Sequence, residues 1–164
     1  MIFNKGDNVF HPVYGAGTIE NIESKIIEGC EKSYYTLYVP IGNLKVQVSA
    51  DNPKNKNMRK IFDHDDILKI FSKAEFDPFN SSESWVQYYE KNQTKLKSGD
   101  ISQVSSVYKY LYDKEKNKTL STTEKKMMHT AKQMLVGEIS LSSGIKIEEA
   151  ENLLKSKLIN INDK

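Results

Sequence analysis

The chain has 164 residues, 38% of them hydrophobic and 28% charged, with a formal net charge of +2. This composition excludes an intrinsically disordered chain, and no stretch approaches the roughly 18 to 20 uninterrupted apolar residues of a membrane-spanning helix. A charge so near balance also excludes nucleic-acid binding by bulk electrostatics alone.

The first ten residues, MIFNKGDNVF, place Lys5 and Asp7 where a secretory signal would carry its apolar run, so a cytoplasmic location is expected. Up to residue 62, short β-branched and aromatic runs alternate with Gly, Pro and Asn signals, which predicts strands over 7–11, 17–27, 32–40, 44–49 and 58–61. Glu28-Gly29 and Gly42-Asn43 supply residues that tolerate positive φ at hairpin turns. Five short strands bury a core only by curling on themselves, and Gly15 and Gly17, beside Val13 and Ala16, allow the bend. A Tudor-like or SH3-like five-stranded small barrel is expected. Cys30, the only cysteine, rules out an internal disulfide and a cysteine cluster for zinc, and reads as a turn residue. The run LKVQVS over 44–49 is either an ordinary barrel strand or an edge able to pair with a partner's strand.

From Asp63 onward the hydrophobic period becomes helical. Residues 63–73 predict a short helix carrying Ile67, Leu68 and Phe71, and EFDPFNSS behind it reads as a linker, with the boundary near residue 75. Helices over 83–97 and 101–113 follow as an antiparallel pair, divided by Ser98-Gly99-Asp100, in which Gly99 ends the first and Asp100 caps the second. Ser121 and Glu124 form an S-x-x-E capping box ahead of a helix to about residue 139, with Met127, Met128, Ala131, Met134 and Leu135 on one side. A last helix over 147–158 turns Ala150, Leu153, Leu154 and Leu158 inward. The expected class is therefore α+β: the barrel over 1–62, a short helix and linker over 63–80, and a compact all-α domain over 81–164.

Little in the sequence argues for catalysis. His11, His64 and His129 fall in different elements, with no i, i+4 pairing or H-E-x-x-H arrangement to hold a metal. The glycines of VYGAGTIENI lead into a strand, so no helix N-terminus stands ready for a phosphate. Asp65-Asp66 and Glu148-Glu149 read as solvated helix faces. No cofactor is expected, and the chain is not expected to be an enzyme.

Two features ask for more, the run over 44–49 and Trp85. Trp85, the only tryptophan, shares helical spacing with Tyr88, Tyr89 and Leu96, which fits a core residue; a first-turn indole could equally overhang the helix end and offer its face to a base. Lys91, Lys95, Lys109, Lys125, Lys126 and Lys132 lie on helices of the same region, where residues 81–132 carry a local charge of +4. Against 23 lysines there is one arginine, Arg59, so bidentate reading of guanine is nearly closed to this chain and DNA contacts should be to phosphate and shape.

The pattern F-x-x-G-D-x-V-x-x-P-x-x-G-x-G at 3–17, then a lone Trp at a helix start in NSSESWVQYYEKNQTKLKSGDI, then L-S-x-x-E-K-x-M in LSTTEKKMMHTAKQMLVGEI, resembles the CarD/CdnL family of bacterial transcription regulators. The resemblance is colinear to EEAENLL of the last helix, and its N-terminal part is similar to a domain that also opens transcription-repair coupling factors. It implies a Tudor-like domain docked on the β subunit of RNA polymerase, and a helical domain on promoter DNA at the upstream edge of the transcription bubble. By position it makes Trp85 a wedge in the minor groove, without sequence reading, that favours the open complex. It places Lys125 on the DNA-facing side, with Lys91, Lys95 and Lys126 as further DNA contacts, and makes Lys25, Ile27, Val46, Gln47 and Val48 the polymerase-docking surface. A monomer associated with the nucleoid through polymerase is implied. Known members carry arginines where this chain has Lys25 and Gln47, and basic residues after the tryptophan where it has Gln87, Tyr88 and Glu90, so weaker ion pairs and weaker DNA affinity are expected here.

Overall fold

A computed structural model describes residues 3–51, 58–74 and 82–159. Five strands come first, β1 (Asn8–His11), β2 (Gly15–Ile27), β3 (Cys30–Val39), β4 (Leu44–Ser49) and β5 (Arg59–Lys60). Five helices follow, α1 (His64–Ser72), α2 (Trp85–Lys97), α3 (Ile101–Asn117), α4 (Thr122–Ser143) and α5 (Ile147–Leu154), the last running on into a π-helical turn at Lys155–Ile159. The α+β class is as expected. The predicted linker and the boundary near residue 75 lie outside the described residues, apart from Ser82.

The strands form one antiparallel sheet in the order β4-β3-β2-β1-β5. The β2–β3 turn is Glu28-Gly29, both at positive φ (53° and 78°), the geometry whose twist matches the flanking strands. Cys30 therefore opens β3 opposite Ile27 instead of sitting in the turn. Gly15 belongs to β2, two residues earlier than predicted, because it pairs with His11 across a three-residue turn. His11 closes that turn: its Nδ1 accepts from the backbone N–H of Val13 at 3.1 Å and of Tyr14 at 3.4 Å, which gives this buried imidazole a structural task. A bulge at Glu20, where the β2–β3 register shifts between Ile19 and Asn21, bends the sheet. At Gly17 an added Cβ would lie 2.6 Å from the Tyr38 carbonyl oxygen, so only glycine lets β3 approach there. The sheet curls round Val9, Ile19, Tyr35, Leu37, Val39 and Val48, one residue or more from each of the first four strands, as a small barrel must.

Capping fixes the helices in phase. Asp100 caps α3 by accepting from the N–H of Ser102 at 2.8 Å, and Gly99, at φ 74°, reverses the chain after α2. The predicted box at α4 is present, with Glu124 N–H donating to Ser121 Oγ at 3.2 Å and Ser121 N–H to Glu124 Oε2 at 2.9 Å. α3 runs to Asn117, four residues past its predicted end, and Lys114 on that added turn donates to Glu124. Burial alone would raise the Glu124 pKa, but the hydrogen bonds from Lys114 and Ser121 outweigh it and hold the carboxyl below its ordinary value of 4.5. A depressed folded value contributes stability above the unfolded pKa and loses it as pH falls through the folded one. Glu124→Gln, which keeps the cap but not the charge, is thus expected to lower the urea midpoint at pH 7 and flatten its fall below pH 4.5, and an unchanged acid limb would refute this.

The two halves share a core. Phe10 and Ala16 of the barrel belong to the cluster formed by Ile67, Val104, Leu135 and Ile139 of the helices. α4 lies against β2, and its Gly137 makes room: a Cβ there would meet Ile41 Cδ1 at 3.3 Å and Ala16 Cβ at 3.5 Å. Beside it, Glu138 is buried at 1% exposure and receives Arg59 through Nη1 at 2.6 Å and Nη2 at 2.9 Å, together with the N–H of Phe62 at 3.1 Å. Arg59 Nε donates to the Gly99 carbonyl at 2.9 Å, while the guanidinium lies 4.8 Å from the Phe10 ring centre and 4.6 Å from that of Phe62. The chain's single arginine is a fastener between barrel and helices.

Candidate functional site

The phase of α2 is set by a second capping box, in which Gln87 N–H donates to Ser84 Oγ at 3.2 Å and Ser84 N–H to Gln87 Oε1 at 2.9 Å. This makes Trp85 the first helical residue. Tyr88, Asn92 and Leu96 form the buried line of the helix, and Trp85, at 49% exposure, lies outside it with Val86 at 60%. The indole is therefore not a core residue. It stacks on Tyr89, one turn along, with ring centres 5.3 Å apart and planes within 11°. That contact, worth about 0.5–1.5 kcal/mol, restricts the indole's rotamers and presents a broad aromatic step at the helix end.

The lysines separate into groups. At about 100° per residue, Tyr89, Gln93 and Lys97 occupy one flank of the buried line and Lys91 and Lys95 the other, with Trp85 in line with it just beyond its N-terminal end, where the helix begins. Lys91 approaches Glu83 at 4.0 Å. Lys125 and Lys126 are exposed at the start of α4, and Lys126 lines a groove together with Tyr89 and Lys97. Two lysines of the predicted basic region do not belong to a contact surface. Lys109 is buried and donates to the Leu158 carbonyl at 3.2 Å, satisfying the π-helical turn, and Lys132 pairs with Glu151 at 2.8 Å.

On the barrel, β4 pairs with β3 and with no other described strand, so it is a sheet edge. Alternation turns Val46 and Val48 toward the barrel core, Val48 to 6% exposure, and leaves Lys45 and Gln47 outside. Gln47 joins Lys25 across the sheet: Lys25 Nζ donates to Gln47 Oε1 at 3.0 Å, and Gln47 Nε2 to Glu23 Oε2 at 3.2 Å. Lys25 also stands 5.6 Å from the Tyr34 ring centre. Ile27 sits beside the hairpin turn at 37% exposure, next to Ile26 at 80%, a residue sequence reasoning passed over although it adjoins the turn. Among the expected docking residues, Lys25 and Gln47 offer side chains, whereas Val46 and Val48 turn their backbone N–H and C=O groups inward to Leu37 and Tyr35 of β3, and the outward backbone of the edge belongs to the residues between them, Lys45 and Gln47.

Comparison with known proteins addresses what such a pair of surfaces belongs to. Residues 3–62 match the family model described as the CarD-like/TRCF RID domain, and residues 66–155 match that of the CarD C-terminal domain. The chain is also 33% identical over 149 residues to "Putative transcription factor YdeB" of Bacillus subtilis (strain 168), covering 88% of this chain and 94% of that protein. The chain belongs to the CarD-like family. This is a family of transcription factors and not of enzymes, and the CarD-like resemblance in the sequence is thereby shown. Within this CarD-like protein, His11 serves the β1–β2 turn and His64 Nδ1 lies 2.6 Å from Ser143 Oγ, so both imidazoles hold structure together. No helix among the described residues is long and apolar enough to cross a membrane. What sequence reasoning missed in the CarD-like helical half is Tyr89, placed by its spacing with the core residues although it carries the indole. The S-x-x-Q box at Ser84 was the available signal, since it fixes which residue begins the helix.

Proposed function

We propose that this CarD-like regulator docks on the β subunit of RNA polymerase through the β4 edge with Lys25, Gln47 and the Ile27 corner, while its helical half touches promoter DNA. Trp85 enters the minor groove at the upstream edge of the bubble and stabilises the open complex. The observation that carries this reading is the half-exposed indole at the first position of α2, held flat on Tyr89. An apolar wedge at a base step costs a few kcal/mol of unstacking in a closed duplex, and that cost is already largely met where the strands have parted. The barrel edge supports the partner role, because unpaired N–H and C=O groups along a strand accept a further strand by main-chain hydrogen bonding. The regulator works as a monomer in the cytoplasm, on the nucleoid wherever polymerase carries it. Comparing open-complex lifetime with the wild-type protein and with Trp85→Ala tests this: a shorter lifetime is expected, and an unchanged one, with the variant folded and polymerase-bound, rejects the wedge.

The lysines carry a separate expectation. Lys125, Lys126 and one lysine of α2 would neutralise about three phosphates, so log affinity for DNA in the polymerase complex should fall against log salt with a slope of about −2.7. A flat titration would refute phosphate contact.

A further inference from the structure

The α2 flank that starts beside Trp85 leads into a groove. Tyr89, Gln93 and Lys97 continue from the indole at intervals of one turn, reaching about 18 Å along the helix axis. They form one wall, and Lys126 and Thr130 of α4 form the other, over a floor that includes Met127. The space is about 350 Å³, at the small end of the range for small-ligand clefts, about 300–1,000 Å³. Its chemistry is mixed in a particular way. The ring of Tyr89 offers a stacking surface; the Gln93 amide and the Thr130 hydroxyl can each donate and accept; Lys97 and Lys126 supply positive charge. No carboxylate is among the residues lining it.

Those features together suit an unpaired nucleotide. A base lifted from its stack needs an aromatic or apolar face to lie on, groups able to both donate and accept for its exposed pairing edge, and cations for its phosphate. The absence of carboxylates removes what would repel that phosphate. Resting on the reading of Trp85 as a wedge, we propose that the α2–α4 groove takes one unpaired base of the melted strand, the one next to the step that Trp85 holds. The indole parts the step, and the groove keeps the freed base from pairing again.

The test uses the full chain in complex with polymerase and a promoter that carries 2-aminopurine, a fluorescent adenine analogue, at successive positions along the upstream edge of the bubble. Wild-type protein is expected to change the fluorescence at one unpaired position. Gln93→Ala, and Thr130→Phe, which fills the groove from an exposed site, should each abolish that change and shorten the open-complex lifetime about 3- to 10-fold. If both behave as wild type while Trp85→Ala shortens the lifetime, the groove proposal falls and the wedge stands. If Trp85→Ala has no effect either, both fall. If only Lys126→Gln shortens the lifetime, with the fluorescence change kept in the other two variants or absent throughout, the groove contacts backbone phosphate and the base proposal is overturned.

Discussion

Arg59→Met is expected to destabilise the protein by about 3–5 kcal/mol, read as a lower urea midpoint, because it strands the Glu138 carboxylate inside the molecule. Glu138 is 1% exposed, and the bidentate guanidinium supplies its charge partner; the Phe62 N–H that would remain is a single neutral donor. The variant also removes the hydrogen bond to the Gly99 carbonyl and the packing of the guanidinium against Phe10 and Phe62. Arg59→Lys should recover only part of the loss, since an ammonium cannot bind both carboxylate oxygens in one plane or lie flat against a ring. The paired change Arg59→Met with Glu138→Leu should be more stable than Arg59→Met alone, because no buried charge is then left over. Should Arg59→Met unfold at the wild-type urea concentration, the fastener carries no stability and this account of the interface is wrong.

Trp85→Ala is expected to act on the other side of the ledger, with a large functional effect and a small structural one. Stacking on a base is worth about 1–3 kcal/mol, so open-complex lifetime in the presence of the variant should shorten by roughly 5- to 150-fold relative to wild type. The buried line of α2, Tyr88, Asn92 and Leu96, does not include the indole, and the capping box of Ser84 and Gln87 survives the change. Thermal stability should therefore fall by no more than the loss of the Tyr89 stack, about 0.5–1.5 kcal/mol. Trp85→Phe keeps an aromatic wedge and should restore part of the lifetime; a variant as poor as alanine would mean that the indole acts through something other than its face.

Much of this molecule was legible because its signals are local. The boxes at Ser121 and Glu124, the pair Gly99 and Asp100, and the turns Glu28-Gly29 and Gly42-Asn43 each act through residues no more than three apart, and each formed where the sequence placed it. Trp85 resisted because its neighbours at i+3 and i+4 both pack on the core, Tyr88 buried and Tyr89 half-buried, so spacing groups the indole with them, and only its place at the first helical position leaves it half-exposed. The end of α3 was missed for a related reason. After Asp113 the chain reads Lys-Glu-Lys with no apolar residue to keep the period, and the extra turn is held by Lys114 reaching Glu124 on another helix. Arg59 and Glu138 stand 79 residues apart, a distance over which no periodicity connects them. Lys109 likewise reads as surface charge, because the carbonyl of Leu158 to which its ammonium donates lies 49 residues away.

The shared core of Phe10 and Ala16 with the helices, fastened by Arg59 and Glu138, bears on how weakly, under the proposed function, this protein could hold DNA and still act. A flexible tether would spread the helical half over a wide volume and dilute Trp85 at any one point. A rigid join confines it, so that once the barrel is bound the local concentration of the indole at its target is set by geometry and not by the amount of protein in the cell. Second contacts made under such confinement need little affinity of their own. Under the proposed function, a chain with a single arginine, already committed at that join, would thereby leave the tightness of binding to the barrel and the opening of the strands to one aromatic ring.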